Sequence, residues 1–208
     1  MWRTAAASGS LADEVELRQM RFNMDASASS QVVPGKACGT CMMCCKVLHI
    51  KELEKPAGVW CRHAVARKGC GIYPERPPIC QDFYCQWMRS PDLGPEWKPD
   101  KAKFVIYFQP DMTLLHVNVD PNFPKAWTKP PFYPAIKRWA IDAAERRQFV
   151  LVRIGAHLIA VLPDRDVDMG QVDPAARLIV SRRQGPAGFI YEVEVGHGEA
   201  PQGTEQIV

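Results

Sequence analysis

Cys38-Gly39-Thr40-Cys41-Met42-Met43-Cys44-Cys45 sets four thiols within eight consecutive positions. Four more follow at Cys61, Cys70, Cys80 and Cys85, and the 208 residues contain no other cysteine. Cysteines used as small buried hydrophobes scatter through a chain, whereas thiols gathered this closely suit Zn(II), Cu(I) or an iron–sulfur cluster. All eight are candidate metal ligands. Their spacing is C-x2-C-x2-C-C-x15-C-x8-C-x9-C-x4-C. Zinc prefers paired C-x2-C knuckles; Cys38 and Cys41 form one, and no second independent knuckle follows. A cubane cluster uses C-x2-C-x2-C, because one wrapped turn then delivers three thiolates. Cys44 is followed directly by Cys45 rather than by x3-C-P, so the stretch is not a ferredoxin repeat. An iron–sulfur cluster is favoured, with zinc as the alternative.

Moving outward, residues 35–99 form the cysteine region. Cys38 to Glu54 can be drawn as a helix, with Cys38, Cys41 and Cys45 on one face and Cys44 at its edge, or as a loop wrapping one centre. Tyr73-Pro74-Glu75-Arg76-Pro77-Pro78 excludes regular helix and central strand, and Asp92 to Pro99 reads as a connector. Residues 1–34 are expected to be a poorly ordered lead, with a thin apolar stripe from Leu11 to Phe22, and 196–208 a polar tail.

Residues 100–195 have a different texture. Strand-like runs flank Pro110-Asp111, Gly155-Ala156 and Gly185-Pro186-Ala187-Gly188, giving three expected hairpins. Ile136, Trp139, Ala140, Ala143 and Ala144 recur at helical spacing after Pro134. The expected fold class is α+β: a cysteine-rich loop or helix segment packed on an antiparallel sheet with one long helix.

The net charge of +3 is too small to argue for nucleic acid. Between Cys38 and Arg89, eight Lys and Arg stand against four Asp and Glu, a local +4. Such a surplus either offsets a net-negative thiolate centre or forms a solvated basic face. No run of about 18 apolar residues exists, so no membrane span is expected. Met1 to Ser10 lack an apolar run, so a cytoplasmic setting is expected, where thiols stay reduced and metal is favoured over disulfides.

The two linked motifs resemble the YkgJ-type cysteine-cluster family, named for zinc or iron chelation. CxxCxxCC stands as Cys38, Cys41, Cys44 and Cys45; the lone later thiol as Cys61; and CxIYxxRPxxC as Cys70-Gly71-Ile72-Tyr73-Pro74-Glu75-Arg76-Pro77-Pro78-Ile79-Cys80, with Phe83 after it. The resemblance covers roughly residues 38–85 and implies bound iron or zinc; members are sometimes called iron–sulfur oxidoreductases. Arg62-His63 after Cys61 departs from the family's aromatic-leucine step, and Cys85 is a thiol beyond the pattern.

Other constellations are weaker. Cys38-Gly-Thr-Cys41 has dithiol spacing, but no strand precedes it and two more thiols adjoin it. His63 and His49 are possible ligands or neighbours of the centre, although solvent-facing roles are commoner. Met42 and Met43 suit Cu(I) or a core. Arg76 could donate to thiolate sulfur or pair with Glu75 or Asp82. Trp60, Trp87 and Trp97 could shield the site. Asp164-Arg165-Asp166-Val167-Asp168 lacks the glycine and trailing glutamate of a calcium loop and reads as a solvated loop. No catalytic constellation or nucleotide fingerprint emerges. Three functions compete: an iron–sulfur protein with a redox or accessory role and an unidentified protein or redox partner; a zinc-binding interaction module; and an enzyme whose chemistry lies in residues 100–195.

Overall fold

The structure is a computed structural model and describes residues 32–108, 114–173, 176–186 and 188–196. Most of the lead, the tip at Pro110-Asp111 and nearly all of the tail lie outside these residues. The fold is α+β. The cysteine region contains short pieces only: helix α1 (Met43–Val47), a hairpin of β1 (Ala64–Val65) and β2 (Gly69–Cys70), and helical turns α2 (Pro78–Gln81), α3 (Gln86–Arg89) and α4 (Pro99–Ala102). After them come β3 (Phe104–Phe108), β4 (Leu114–Val119), the long helix α5 (Phe132–Glu145), β5 (Phe149–Ile154), β6 (His157–Val161), β7 (Asp166–Gln171), β8 (Arg177–Gly185) and β9 (Gly188–Gly196).

Strands β3 to β7 form one sheet in sequence order, while β8 and β9 pair as a separate ribbon. The expected hairpins appear: β3–β4, β5–β6 and β8–β9 are antiparallel. Gly155 opens the tight β5–β6 turn at φ +63°, which glycine adopts without steric cost. The sheet is not purely antiparallel, because β4 and β5 run parallel. Residues 120–148 and their helix join these two strands, and a helical crossover returns the chain in the same direction. The acidic run after Asp164 is largely strand rather than loop, since Asp166 begins β7 and pairs with Val161.

The two-residue period of β3 divides the molecule. Phe104, Ile106 and Phe108 join the cluster beneath α5, whereas Val105 and Tyr107 join the apolar cluster of the cysteine region. Farther along the sheet, Phe149, Leu151, Leu158 and Ala160 pack with Val180 and Tyr191 of the β8–β9 ribbon. Ala135, Ile136, Trp139, Ala140, Ala143 and Ala144 are the buried stripe of α5. Pro134 falls in the first turn, where its missing N–H has no intrahelical acceptor to lose.

Trp97 departs from its expected place beside the cysteines. It lies in the main core, with ring centroids 6.1 Å from Phe104, 4.9 Å from Phe132 and 5.0 Å from Trp139. The proline-rich connector therefore carries an aromatic anchor, and offset or edge-on contacts of this kind add to area burial.

Trp139→Ala should remove about 3–5 kcal/mol of stability, the usual result of emptying a buried aromatic site. Guanidinium unfolding followed by far-ultraviolet circular dichroism measures it; a change below about 1 kcal/mol would show that this stripe does not hold α5 on the sheet.

Candidate metal centre

The first four cysteines do not lie on one helix face. Cys38 and Cys41 belong to a turn before α1, closed by the Cys41 N–H donating to the Cys38 carbonyl at 2.9 Å, and only Cys44 and Cys45 are helical. Gly39 takes φ +55° inside that turn, which breaks helical continuity. A turn followed by a short helix is thus the form observed. The Cys61 N–H donates to the Cys45 carbonyl at 2.9 Å, bringing the lone later cysteine back beside α1. Cys70 ends β2 opposite Ala64. Pro77 and Pro78 start the turn that carries Cys80, and Cys85 precedes α3 at its N-terminus.

Through these turns all eight thiols come to line one cavity of about 930 Å³. This is near the top of the ~300–1,000 Å³ typical of ligand and cofactor sites. None of the eight forms a disulfide. Among the described residues, no three His, Cys, Asp or Glu side chains stand so that they could hold a metal ion as placed. The thiols share the wall of the cavity without closing on a point.

The floor of that cavity is the face of the sheet away from α5. Cross-strand register puts Val105, Asn118 and Arg153 in one row and Tyr107, His116 and Leu151 in the next. Val105, Tyr107, His116, Asn118 and Arg153 all line the cavity. The sequence reading placed none of these four polar residues at the site. The available signal was alternation: His116 and Asn118 share one face of β4, where a buried strand would carry apolar side chains. Tyr107 stacks on His116 with centroids 4.9 Å apart, and Asn118 Nδ2 donates to Tyr107 Oη at 3.4 Å.

Burial pushes the thiols of Cys38, Cys41 and Cys80 upward, and that of Cys85 to about 11. The adjacent pair is polarised. Cys44 donates a hydrogen bond to Cys45, which raises Cys44 well above the ordinary thiol range and lowers Cys45 to about 7, with Lys55 and Arg76 assisting the latter. Lys55 itself is buried, and its ammonium donates to the carbonyls of Lys46 at 2.8 Å, Pro56 at 3.0 Å and Leu48. It thereby supplies donors to carbonyls of the last turn of α1, which has no further turn to satisfy them.

The donor chemistry fits a thiophilic metal, since eight soft sulfurs share a cavity with cationic neighbours. Arg76 places its guanidinium 3.9 Å over the Tyr73 ring, and its buried Nε has no hydrogen-bond partner among the described residues. An anionic sulfur centre would supply the acceptor that this N–H lacks. His63 lines the cavity half-buried, and His49 lines its exposed margin. Met43 is buried with Val47, as core packing requires, while Met42 lines the cavity. His157 is elsewhere, paired with Asp168 at 2.7 Å. Asp164 and Asp166 pair separately with Arg165 at 2.5 Å and Lys137 at 2.9 Å, so the acidic run does not converge.

One ion pair ties this region to the sheet. Lys46, between Cys45 and Val47, reaches Asp120 at 2.6 Å with side-chain exposures of 7% and 4%. Lys46→Met should destabilise the fold by about 3–5 kcal/mol, because it leaves the Asp120 charge buried without its partner. Chemical denaturation at neutral pH tests this, and an unchanged midpoint would remove the pair from any docking role.

The split within the adjacent pair predicts a pH profile for metal-stripped, reduced protein. Below pH 7 the Cys45 sulfur is protonated and alkylates slowly; above it the thiolate reacts, so the rate at Cys45 should rise through about pH 7. Cys85 should stay unreactive until strongly alkaline conditions, and peptide mapping after timed iodoacetamide treatment reads both. Equal profiles at the two sites would contradict the polarisation.

Compared with known proteins, the chain matches no protein-family model, no curated protein and no solved structure.

Proposed function

We propose that the chain is a metal-binding protein of the cysteine-cluster type, holding its metal through the thiols of Cys38, Cys41, Cys44, Cys45, Cys61, Cys70, Cys80 and Cys85. On this reading the cysteine-rich segment is a metal-holding cap on the sheet. The observation that carries it is the meeting of eight free thiols, drawn from separate turns, around one cavity. Geometry of this kind demands long loops closed at entropic cost, and bound metal contributes the free energy that offsets it.

An iron–sulfur cluster with a redox or accessory role is the favoured occupant. The cavity is far larger than one bare ion requires, and Lys55, Arg76 and Arg153 border a centre that would be net negative. When bound, such a cluster supplies one-electron chemistry whose potential depends on charge, burial and hydrogen bonds to sulfur. The chain's own contribution would be the thiolates, the donor at Arg76 Nε and the enclosing cavity. A partner protein or redox donor would complete the role, and the YkgJ-type resemblance points the same way.

A zinc-binding interaction module is the second reading, favoured by the surface of the cysteine region. Val59, Trp60, Val65, Tyr73 and Ile79 are large hydrophobics exposed between residues 59 and 79, out of eight in the described chain. Exposed apolar side chains mark interaction sites where they form a contiguous patch.

Anaerobic purification followed by iron, zinc and acid-labile sulfide analysis separates the readings. The favoured outcome is brown protein with iron and sulfide that are lost in air. Stoichiometric zinc without sulfide would replace the redox role with the interaction module, and absence of any metal after anaerobic isolation and reconstitution would overturn both. Metal removal should also make residues 61–85 sensitive to limited proteolysis while 114–173 resist.

A further inference from the structure

We propose that the eight thiols form two separate four-sulfur centres, Cys38, Cys41, Cys44 and Cys85 in one and Cys45, Cys61, Cys70 and Cys80 in the other. The proposal rests on the thiolate-metal reading above and adds how the ligands are shared.

The first set is defined by packing. Cys38, Cys41 and Cys44 pack against the apolar cluster of Met43, Val47, Met88 and Val105, and Cys85 is a buried member of that cluster; the other four cysteines are not part of it. Cys38 Sγ lies 3.3 Å from Met88 Sδ. Met88 is one turn beyond Cys85, whose carbonyl accepts the Met88 N–H at 2.9 Å. The chain segment from Cys85 to Met88 therefore covers the Cys38–Cys44 loop directly. Cys85, the thiol beyond the family pattern, supplies the fourth sulfur.

The second set is assembled by backbone contacts. Cys61 is held to Cys45 by its N–H, and its carbonyl accepts the Ala64 N–H at 3.0 Å, so β1 starts at once. Register then pairs Ala64 with Cys70 across the small hairpin. Charge neighbours agree with this division. The thiols that bear on Cys80 are Cys45, Cys61 and Cys70, and those that bear on Cys85 are Cys38 and Cys41. Cys38 and Cys44 also sense Cys45, the member nearest the boundary.

The Cys44-Cys45 doublet is what the division explains. Successive residues of a helix point about 100° apart, and the two thiols stay in hydrogen-bond contact, Cys44 donating to Cys45, so the doublet is the seam at which the quartets meet. Two neighbouring side chains on one helix then serve two sites. Four thiolates satisfy one tetrahedral ion or one cubane, so eight thiols in quartets fill two centres with none left over. Lys55 bears most strongly on Cys45 and Cys61 of the second quartet, while the first packs on the apolar cluster of Met43, Val47, Met88 and Val105, so the two should differ in ease of metal loss.

Cadmium titration of the metal-stripped, reduced full-length chain tests the division, because Cd(II) takes the same sulfur ligands and is visible by NMR. Thiolate-to-metal absorption should saturate at two Cd(II) per chain, with two resonances in the four-sulfur range. Cys41→Ser or Cys85→Ser should move or abolish one resonance and leave the other; Cys70→Ser or Cys80→Ser should do the reverse. Saturation at one Cd(II), at more than two with coupled resonances, or loss of the same resonance in Cys85→Ser and Cys80→Ser would overturn the division while leaving thiolate binding intact. Failure to bind Cd(II) at all would overturn the metal reading beneath it. The wild-type stoichiometry decides without variants, so a misfolded substitution cannot rescue the proposal.

Discussion

The buried contact between Lys46 and Asp120 holds the two halves of the molecule in register. Lys46 belongs to the helix of Cys44 and Cys45, and Asp120 closes β4, where its N–H also meets the Lys103 carbonyl at 2.8 Å. Asp120 Oδ1 accepts the Asn122 N–H as well, so the carboxylate is fixed from both sides. Buried charges are costly unless paired and hydrogen-bonded, which restricts α1 to one position on the sheet. Gly58 tightens the same junction: a Cβ there would lie 2.9 Å from the Pro121 ring, and its φ of +80° already favours glycine. Close approach and ion pair together set the distance between the thiols and the sheet face, and hence the cavity.

That cavity has two unlike walls. One is built from turns carrying sulfur, the other from a rigid sheet presenting Tyr107, His116, Asn118 and Arg153. A sheet positions side chains more strictly than loops do, because ladder hydrogen bonds fix each register pair. The loops gain order from Lys55 and from apolar contacts of Met43, Val47 and Met88 with Val105. The firm wall supplies the polar groups of the cavity, and the loop wall supplies its sulfurs.

The long helix and the hairpins at Gly155 and Gly185 were legible in the sequence. Each rests on a local signal: Ile136, Trp139, Ala140 and Ala143 recur at helical spacing, and glycine opens the turns. The parallel β4–β5 pair was not legible, since parallel pairing depends on where a crossover helix lands. Trp97 was misplaced for a similar reason. A tryptophan among prolines carries no period, and only Phe104, Phe132 and Trp139 meeting around it define its core position. The helix drawn through Cys38 was too long because Gly39 turns the chain at positive φ, a choice that thiol spacing alone does not reveal.

By itself the sequence determined which atoms could hold a metal, because thiol count and spacing are covalent facts that survive any fold. It determined the α+β class as well, since periodicity of apolar residues reflects which local structure can bury one face. Tertiary structure decided which thiols are neighbours. Cys85 lies 40 residues beyond Cys45 in the chain yet shares an apolar cluster with Cys38 and Cys41, while the Cys45 carbonyl accepts the Cys61 N–H. Proximity of that kind arises from burial of Val105, Met88 and Met43 together and from one buried ion pair, and long-range burial has no signature in the spacing of the cysteines themselves.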